Sequence, residues 1–118
     1  MATQHYRGSC QCGAVSFEAD LDLDHTITCN CSRCQRLGSV LTFAPKDKFT
    51  LLKGEGQLSE YLFNKHVIHH LFCRTCGIES FARGKGPDGK EMVAVNANCL
   101  DGVNPRELPS KHFNGRET

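Results

Sequence analysis

The sequence lacks tryptophan, has only two tyrosines among its 118 residues, and contains no long apolar run. A membrane-spanning helix needs about 20 apolar residues in succession, and the N-terminal residues do not resemble a secretory signal segment. The 14 basic and 13 acidic residues nearly cancel and form no basic run, which argues against a nucleic-acid partner held by bulk charge. We therefore expect one compact cytoplasmic domain over residues 1–118, with neither a membrane nor a nucleic acid as partner.

What the sequence does contain is eight cysteines, seven of them in three closely spaced groups. The groups are a C-x-C at 10–12, a C-x-C-x-x-C at 29–34 and a C-x-x-C at 73–76. Without an export signal, such spacings favour metal ligands or redox groups over disulfides. Two thiolates on one tight turn can bind the same tetrahedral zinc ion. Gly13 and Gly77, each directly after the second cysteine of a pair, favour turns of this kind.

Seven clustered cysteines divide into four plus three. Four thiolates make a closed structural zinc site, whereas three leave a position open for water or substrate. Spacing alone leaves two pairings open. The 73–76 pair can join the 10–12 pair and leave the 29–34 group as a compact trio. It can instead join Cys31 and Cys34, which leaves three cysteines, Cys29 among them, unexplained, so economy favours the first pairing.

The pattern between the cysteines predicts a mainly β domain. Alternation and turn signals predict strands over 15–19, 40–44, 49–52, 59–64, 66–72, 80–83 and 92–97. The cysteines at 29–34 are expected on a loop that runs into one helical turn, with Ser32 as its N-cap and Gly38 at its end. The tail from Asp101 onward is expected to be irregular. The fold class that follows is a single zinc-stapled antiparallel β domain.

Four segments carry a resemblance to a known family: Gly8–Val15, Cys29–Arg36, Phe72–Gly77 and Val95–Asp101. In order and flanking residues they resemble the glutathione-dependent formaldehyde-activating enzyme (GFA) family, which also contains the centromere-associated CENP-V proteins. The resemblance covers about residues 8–101. It implies a β-tent (Mss4-like) fold with two zinc ions and a reversible addition of glutathione to formaldehyde, classed in reverse as a carbon–sulfur lyase.

The resemblance also implies a role for each clustered cysteine. A structural zinc would be held by Cys10, Cys12, Cys73 and Cys76. A catalytic zinc, with an open position, would be held by Cys29, Cys31 and Cys34. Zinc bound by three thiolates is a weaker Lewis acid than zinc bound by neutral histidines, so we expect it to bind the substrate thiol rather than to polarise a carbonyl.

Three kinds of residue near the cysteines have more than one interpretation. Glutathione carries two carboxylates, and Arg33, Arg36 and Arg74 are candidates to contact them, although all three can equally be solvated loop residues. Cys99 is expected as a buried free thiol on the apolar face of the last strand, with a fourth zinc ligand or a redox nucleophile as alternatives. The histidines at 66, 69 and 70 cannot all serve one ion, because His69 would lie on the opposite face of the strand from His66 and His70. They are expected as polar strand residues, with one of them at the border of the active site as the alternative.

Three other functions are compatible with parts of this pattern. An enzyme of the same fold can act on a different thiol or aldehyde. A non-catalytic zinc-stapled binding module is the second alternative, although the balanced charge and the lack of a basic arm disfavour it. The third is a methionine sulfoxide reductase B-like layout, in which Cys10, Cys12 and Cys29 would have no role and no tryptophan is present to build the methyl pocket.

Overall fold

The computed structural model describes residues 3–62, 68–86 and 88–117. Within these ranges the chain forms one short α-helix, α1 (Ser32–Leu37), and ten β-strands. The strands are β1 (Gln4–Ser9), β2 (Ser16–Leu21), β3 (Thr26–Cys29), β4 (Leu41–Pro45), β5 (Phe49–Lys53), β6 (Leu58–Tyr61), β7 (His69–Cys73), β8 (Phe81–Lys85), β9 (Glu91–Asn96) and β10 (Ser110–Phe113). The predicted mainly β, Mss4-like class is confirmed. Across the described ranges, no helix has the length and apolar character needed to cross a membrane.

The strands form two sheets. One has three strands in the order β1-β2-β5, and the other has seven in the order β10-β3-β4-β9-β8-β7-β6. Strand neighbours run antiparallel, with the exception of β10, which lies parallel to β3. Most of the sheet therefore has the predicted antiparallel form, and the C-terminal strand departs from it.

The core lies between the two sheets, where alternate side chains of β2, the first two side chains of β8 and the valines of β9 are buried. Three phenylalanines join the sheets. The Phe49 ring centroid is 5.5 Å from that of Phe17 and 4.7 Å from that of Phe81. Full burial of such a side chain contributes about 1.5–3 kcal/mol. This aromatic contact fixes the relative position of the sheets that deliver the cysteines.

The expectation of an irregular tail after Asp101 was wrong. Strand β10 pairs with β3, and the Thr26 hydroxyl lies 2.8 Å from the carbonyl oxygen of Pro109 and 2.6 Å from the hydroxyl of Ser110. All four side chains of β10 are exposed, so the strand has no apolar alternation from which it could be predicted. The same reason applies to β1, which was not predicted and buries only Gly8.

Two further expectations concern the turns. The predicted strands 59–64 and 66–72 correspond to the antiparallel pair β6 and β7. The predicted turn between them and the strand ends that flank it, His66 among them, lie outside the described residues. Cys99 was predicted to lie on the strand that ends near residue 97, but the structure places it outside that strand. Strand β9 ends at Asn96, whose side chain accepts a hydrogen bond from the N–H of Asn98 at 3.1 Å and starts a 3-10 turn over Ala97–Cys99. Cys99 is partly buried, and this burial raises the pKa of its thiol.

Candidate metal centre

Four cysteines from two distant turns converge at one end of the fold. The Sγ atoms of Cys10, Cys12, Cys73 and Cys76 all lie within 4.8 Å of one another. The Cys12 sulfur is 3.7 Å from the sulfur of Cys10 and 3.7 Å from that of Cys73. Four sulfurs at the Zn–S distance of about 2.3 Å from a tetrahedral ion are separated by about 3.8 Å. The donor set and its spacing therefore fit zinc, and we name these residues the four-cysteine group.

The two turns of the four-cysteine group have the same construction. In the first, Cys10 donates its N–H to the carbonyl of Val15 at 3.0 Å, and the Val15 N–H is 3.3 Å from the Cys10 sulfur. In the second, Cys73 donates its N–H to the carbonyl of Ile78 at 3.0 Å, and the N–H of Thr75 is 3.4 Å from the Cys73 sulfur. Each turn thus aims backbone N–H groups at a sulfur, which stabilises the thiolate that a metal requires.

The glycines of these turns have the predicted role. Gly13 has φ +82° and Gly77 has φ +79°, a left-handed conformation that residues with a Cβ rarely adopt. This conformation reverses the chain directly after Cys12 and Cys76, so that both cysteines of each pair face the same point.

The thiols of the four-cysteine group have divergent pKa values. Burial opposes ionisation of Cys76, but hydrogen bonds from the backbone N–H groups of Cys12 and Ile78 outweigh it and lower the pKa to about 6. At Cys12 the N–H of Ala14 lowers the pKa, but burial and the neighbouring thiols, first that of Cys73, raise it to about 11. The group therefore favours thiolate at some sulfurs and protonated thiol at others, which is the behaviour of closely coupled sites.

The remaining three clustered cysteines form a second group, which we name the trio. Cys29 ends β3, Cys31 directly precedes α1, and Cys34 lies within α1. Their Sγ atoms are all within 4.8 Å of one another, and all three residues are partly exposed. Three thiolates at this spacing fit a zinc ion with one position left for a further ligand.

Local geometry explains how six residues deliver three sulfurs to one point. Ser32 was predicted as the N-cap of α1, but the N-cap is Cys31. Its sulfur accepts a hydrogen bond from the backbone N–H of Cys34 at 3.3 Å. The Cys29 sulfur in turn lies 3.4 Å from the N–H of Cys31. The helix ends at Gly38 as predicted. A thiol thus takes the place usually occupied by a hydroxyl or carboxylate oxygen at a helix N-cap.

The same donors separate the pKa values within the trio. Burial acts against ionisation of Cys31, but hydrogen bonds from the backbone N–H and thiol of Cys34 outweigh it and lower the pKa of the Cys31 thiol. Burial, together with the hydrogen bond and charge of Cys31, raises the pKa of Cys34 to about 12. Cys31 is therefore the cysteine of this pair that ionises first.

The C-terminal segment after β10 lies against the trio, which the sequence did not predict. A Cβ added to Gly115 would lie 2.5 Å from the Cys29 sulfur. Arg116 donates its backbone N–H to the side-chain oxygen of Asn30 at 2.9 Å, and its guanidinium donates to the side-chain oxygen of Gln35 at 2.7 Å. Asn30 and Gln35 are sequence neighbours of trio cysteines, so the last residues of the fold form one wall of this site.

The three arginines that were candidates for substrate contact differ in environment. Arg33 is engaged within the protein, since its Nη2 lies 2.6 Å from Glu79 and its guanidinium lies 4.7 Å from the centroid of the Tyr61 ring. Arg36 is exposed and donates to a carbonyl of its own helix at 2.9 Å. Arg74 is exposed beside the four-cysteine group and donates to a loop carbonyl at 3.2 Å.

The histidines and Cys99 lie outside both cysteine groups as far as the chain is described. His69 is exposed and pairs with Glu60 at 3.1 Å. His70 is buried, and its Nδ1 is 3.2 Å from Glu79. Adjacent strand residues point to opposite faces, which agrees with the expectation that these histidines do not serve one ion.

Comparison with known proteins agrees with this geometry. Residues 5–114 match the family described as glutathione-dependent formaldehyde-activating enzyme. The chain is also similar to a Rhodobacter sphaeroides protein of known crystal structure, with 34% sequence identity and a TM-score of 0.78. That similarity covers 89% of this chain and 99% of the other. The family match spans both cysteine groups and β10.

Proposed function

This chain belongs to the glutathione-dependent formaldehyde-activating enzyme family, and from that premise we propose that it is a zinc-dependent carbon–sulfur lyase resembling S-(hydroxymethyl)glutathione synthase. In the synthetic direction a carbon–sulfur bond forms between the glutathione sulfur and the formaldehyde carbon. The thiol proton ends on the new hydroxyl oxygen. The observation that carries this proposal is the partly exposed trio of Cys29, Cys31 and Cys34 in the same chain as a separate four-cysteine group.

The two groups suit two different tasks. The four-cysteine group, with four thiolate donors, would hold a structural zinc ion, and the trio would hold the catalytic one. A zinc ion bound at the trio would supply an open position at which a substrate thiol is held as its thiolate. A free thiol with a pKa of about 8.5 is only a few per cent ionised at neutral pH, and stabilisation of the thiolate would remove this limit.

Backbone N–H groups of the chain contact two of the trio sulfurs. The N–H of Cys34 donates to the Cys31 sulfur and the N–H of Cys31 donates to the Cys29 sulfur. The contact at Cys31 favours its thiolate before any substrate arrives, in agreement with the lowered pKa of this thiol. A reducing cytoplasmic compartment suits such ligands, because disulfides rarely persist there.

Two exposed arginines beside the trio are our candidates for the carboxylates of glutathione. Arg36 lies on α1, and Arg116 contacts the side chain of Gln35. Arg33 is engaged by Glu79 and does not have its charge available in the same way. We expect Arg36→Gln and Arg116→Gln to weaken binding of glutathione more than binding of a thiol without carboxylates, with the exposed Arg106→Gln as the matched control.

The proposal is tested by exchange NMR of glutathione, formaldehyde and their adduct, with zinc-loaded protein and with the Cys34→Ser variant. Because the uncatalysed reaction is fast, only exchange above the protein-free rate counts. Faster exchange that is lost in Cys34→Ser would support both the reaction and the site. Exchange at the protein-free rate would reject glutathione and formaldehyde as the substrate pair, and favour another thiol or aldehyde on the same site.

A further inference from the structure

Glu79 is a buried carboxylate with a partner on each oxygen. It is 6% exposed and lies in the connection between β7 and β8. Its Oε1 accepts hydrogen bonds from the Nη2 and Nε of Arg33 at 2.6 and 3.1 Å. Its Oε2 is 3.2 Å from the Nδ1 of His70. Hydrogen bonds of this charge-assisted kind are stronger than neutral ones, and burial shields them from water.

One end of this network is fixed to the seven-stranded sheet. His70 is a residue of β7, and Asn96 of β9 donates its side-chain N–H to the main-chain carbonyl of Glu79 at 3.1 Å. The main chain and the side chain of Glu79 are therefore held by two different strands. Since both strands belong to the seven-stranded sheet, the carboxylate of Glu79 has a defined position.

The other end of the network is α1. Arg33 lies between Cys31 and Cys34 in this helix, which has six residues and buries none of them. A helix this short is unstable alone, and without a buried apolar face its docking depends on polar contacts. At its C-terminal end the side chain of Asn98 donates to the carbonyl of Gly38 at 3.0 Å. The Arg33–Glu79 pair supplies the corresponding contact between the two cysteines.

The trio combines sulfurs from a strand and from this helix. Cys29 belongs to β3 of the seven-stranded sheet, whereas Cys31 is the N-cap of α1 and Cys34 lies within α1. The distances within the trio therefore depend on how α1 is docked on the sheet. The four-cysteine group has no residue on α1 and does not depend on that docking.

We infer that Glu79, acting through Arg33, is a positioning residue for the trio: it holds α1 on the sheet so that Cys31 and Cys34 stay at ligating distance from Cys29. This inference rests on the proposed function in one respect, namely that the trio binds a metal ion. Residues that hold metal ligands in place commonly contribute about 10- to 100-fold to metal affinity.

The test is a titration of the full chain with Co²⁺, whose thiolate charge-transfer bands report each cysteine group, combined with competition by a chelator. In the Glu79→Gln variant we expect the affinity of the trio to fall about 10- to 100-fold, while that of the four-cysteine group stays at the wild-type value. Arg33→Lys keeps the charge but loses the fork of donors, so we expect a smaller loss at the same group. The matched control is Glu60→Gln, which breaks the exposed pair with His69 and should change neither affinity.

A second variant separates positioning from the cost of an unpaired buried charge. The double variant Arg33→Met with Glu79→Gln leaves neither charge buried alone, so it tests the inference even if Glu79→Gln fails to fold. We expect it to retain the four-cysteine group and still to bind Co²⁺ weakly at the trio. Wild-type trio affinity in this variant or in a folded Glu79→Gln would overturn the inference, as would an equal loss at both groups. These outcomes leave the proposed function intact. A wild-type chain that binds Co²⁺ only at the four-cysteine group would instead reject both, and two bound ions without exchange catalysis would reject the proposed reaction alone.

Discussion

The two cysteine groups are assembled from very different lengths of chain. The sulfurs of Cys12 and Cys73 meet across a sequence separation of 61 residues, whereas the trio lies within six consecutive residues. A metal that joins distant turns closes a long loop and stabilises the whole fold. A metal bound by neighbouring residues closes almost no loop, so it contributes little to folding. Its affinity depends instead on how the local helix is held.

Burial separates the two groups only in part. Cys10 and Cys73 are 3% and 1% exposed and belong to the core cluster, whereas Cys12 is exposed and Cys76 is partly exposed. All three trio residues are partly exposed, and none is buried. A group of four thiolates anchored in the core by two of them is suited to a permanent ion, while an accessible group of three thiolates is suited to exchange of a fourth ligand with solvent.

The largest expected effect is at the four-cysteine group. Cys10→Ser or Cys76→Ser should abolish the folded state, because structural zinc contributes about 10–16 kcal/mol in small zinc domains and whole domains are stable by only about 5–15 kcal/mol. Far-UV circular dichroism with a thermal scan, together with zinc content, measures this. The control is Cys99→Ser, outside both groups, which should melt cooperatively. A Cys76→Ser protein that melts near the wild-type temperature would contradict the structural role.

Loss of a trio ligand should leave the fold and remove the function. We expect Cys31→Ser or Cys34→Ser to keep the wild-type dichroism spectrum, to bind one zinc ion per chain instead of two, and to lose the proposed turnover. The zinc content of dialysed protein and exchange NMR provide the measurements. Full activity with a single bound ion would show that the trio is not the reaction centre.

A smaller effect is expected where the C-terminal segment meets the trio. In Gly115→Ala the new methyl group would approach the Cys29 sulfur, and overpacking of this kind costs about 1–3 kcal/mol. We expect weaker metal binding at the trio, measured by chelator competition, with the four-cysteine group unchanged. The control is Gly56→Ala, where an added Cβ meets nothing within 4 Å. Equal trio affinity in the two variants would show that the C-terminal segment moves aside without cost.

The smallest expected effect is on thermal stability, at His5 in β1 of the three-stranded sheet, away from both cysteine groups. Hydrogen bonds to Asp20 at 2.8 Å and Glu18 at 3.0 Å raise the pKa of His5 above 6.5. Because the pKa of His5 is higher in the folded state than in the unfolded state, protonated His5 stabilises the fold. This stabilisation is complete at a pH below the unfolded-state pKa and is lost as the pH rises through the folded-state pKa. Thermal midpoints of zinc-loaded wild type and His5→Gln should therefore differ at about pH 5.5 and converge at about pH 8.5. A difference that grows with pH would contradict this sign.

Most of the features that the sequence predicted correctly are local. Spacings of two and three residues bring Cys10 near Cys12 and Cys73 near Cys76 whatever the rest of the fold does, because one tight turn spans each pair. Strand β2 was predictable because every second side chain is apolar, and β9 because an apolar run follows a strong turn signal. Strands β1 and β10 were not, because their exposed side chains carry no such period.

Long-range contacts explain two features that the sequence did not reveal. Arg33 was a candidate for substrate contact because it lies beside two cysteines, but Glu79, 46 residues away, takes up its charge. The C-terminal residues were expected to be irregular, yet parallel pairing of β10 with β3 brings Gly115 against the Cys29 sulfur. Neither contact has a signature in the sequence near the residues involved.

The sequence by itself therefore determined three things about this protein: the seven clustered thiols with their spacings, the mainly β fold class and the family to which the pattern belongs. Only the tertiary structure decided which residues surround those thiols. Ligand type and turn spacing are properties of a few adjacent residues. The partners of the residues beside the trio, Glu79 on Arg33 and Arg116 on Gln35, lie far away in the sequence, and only the folded chain brings them together.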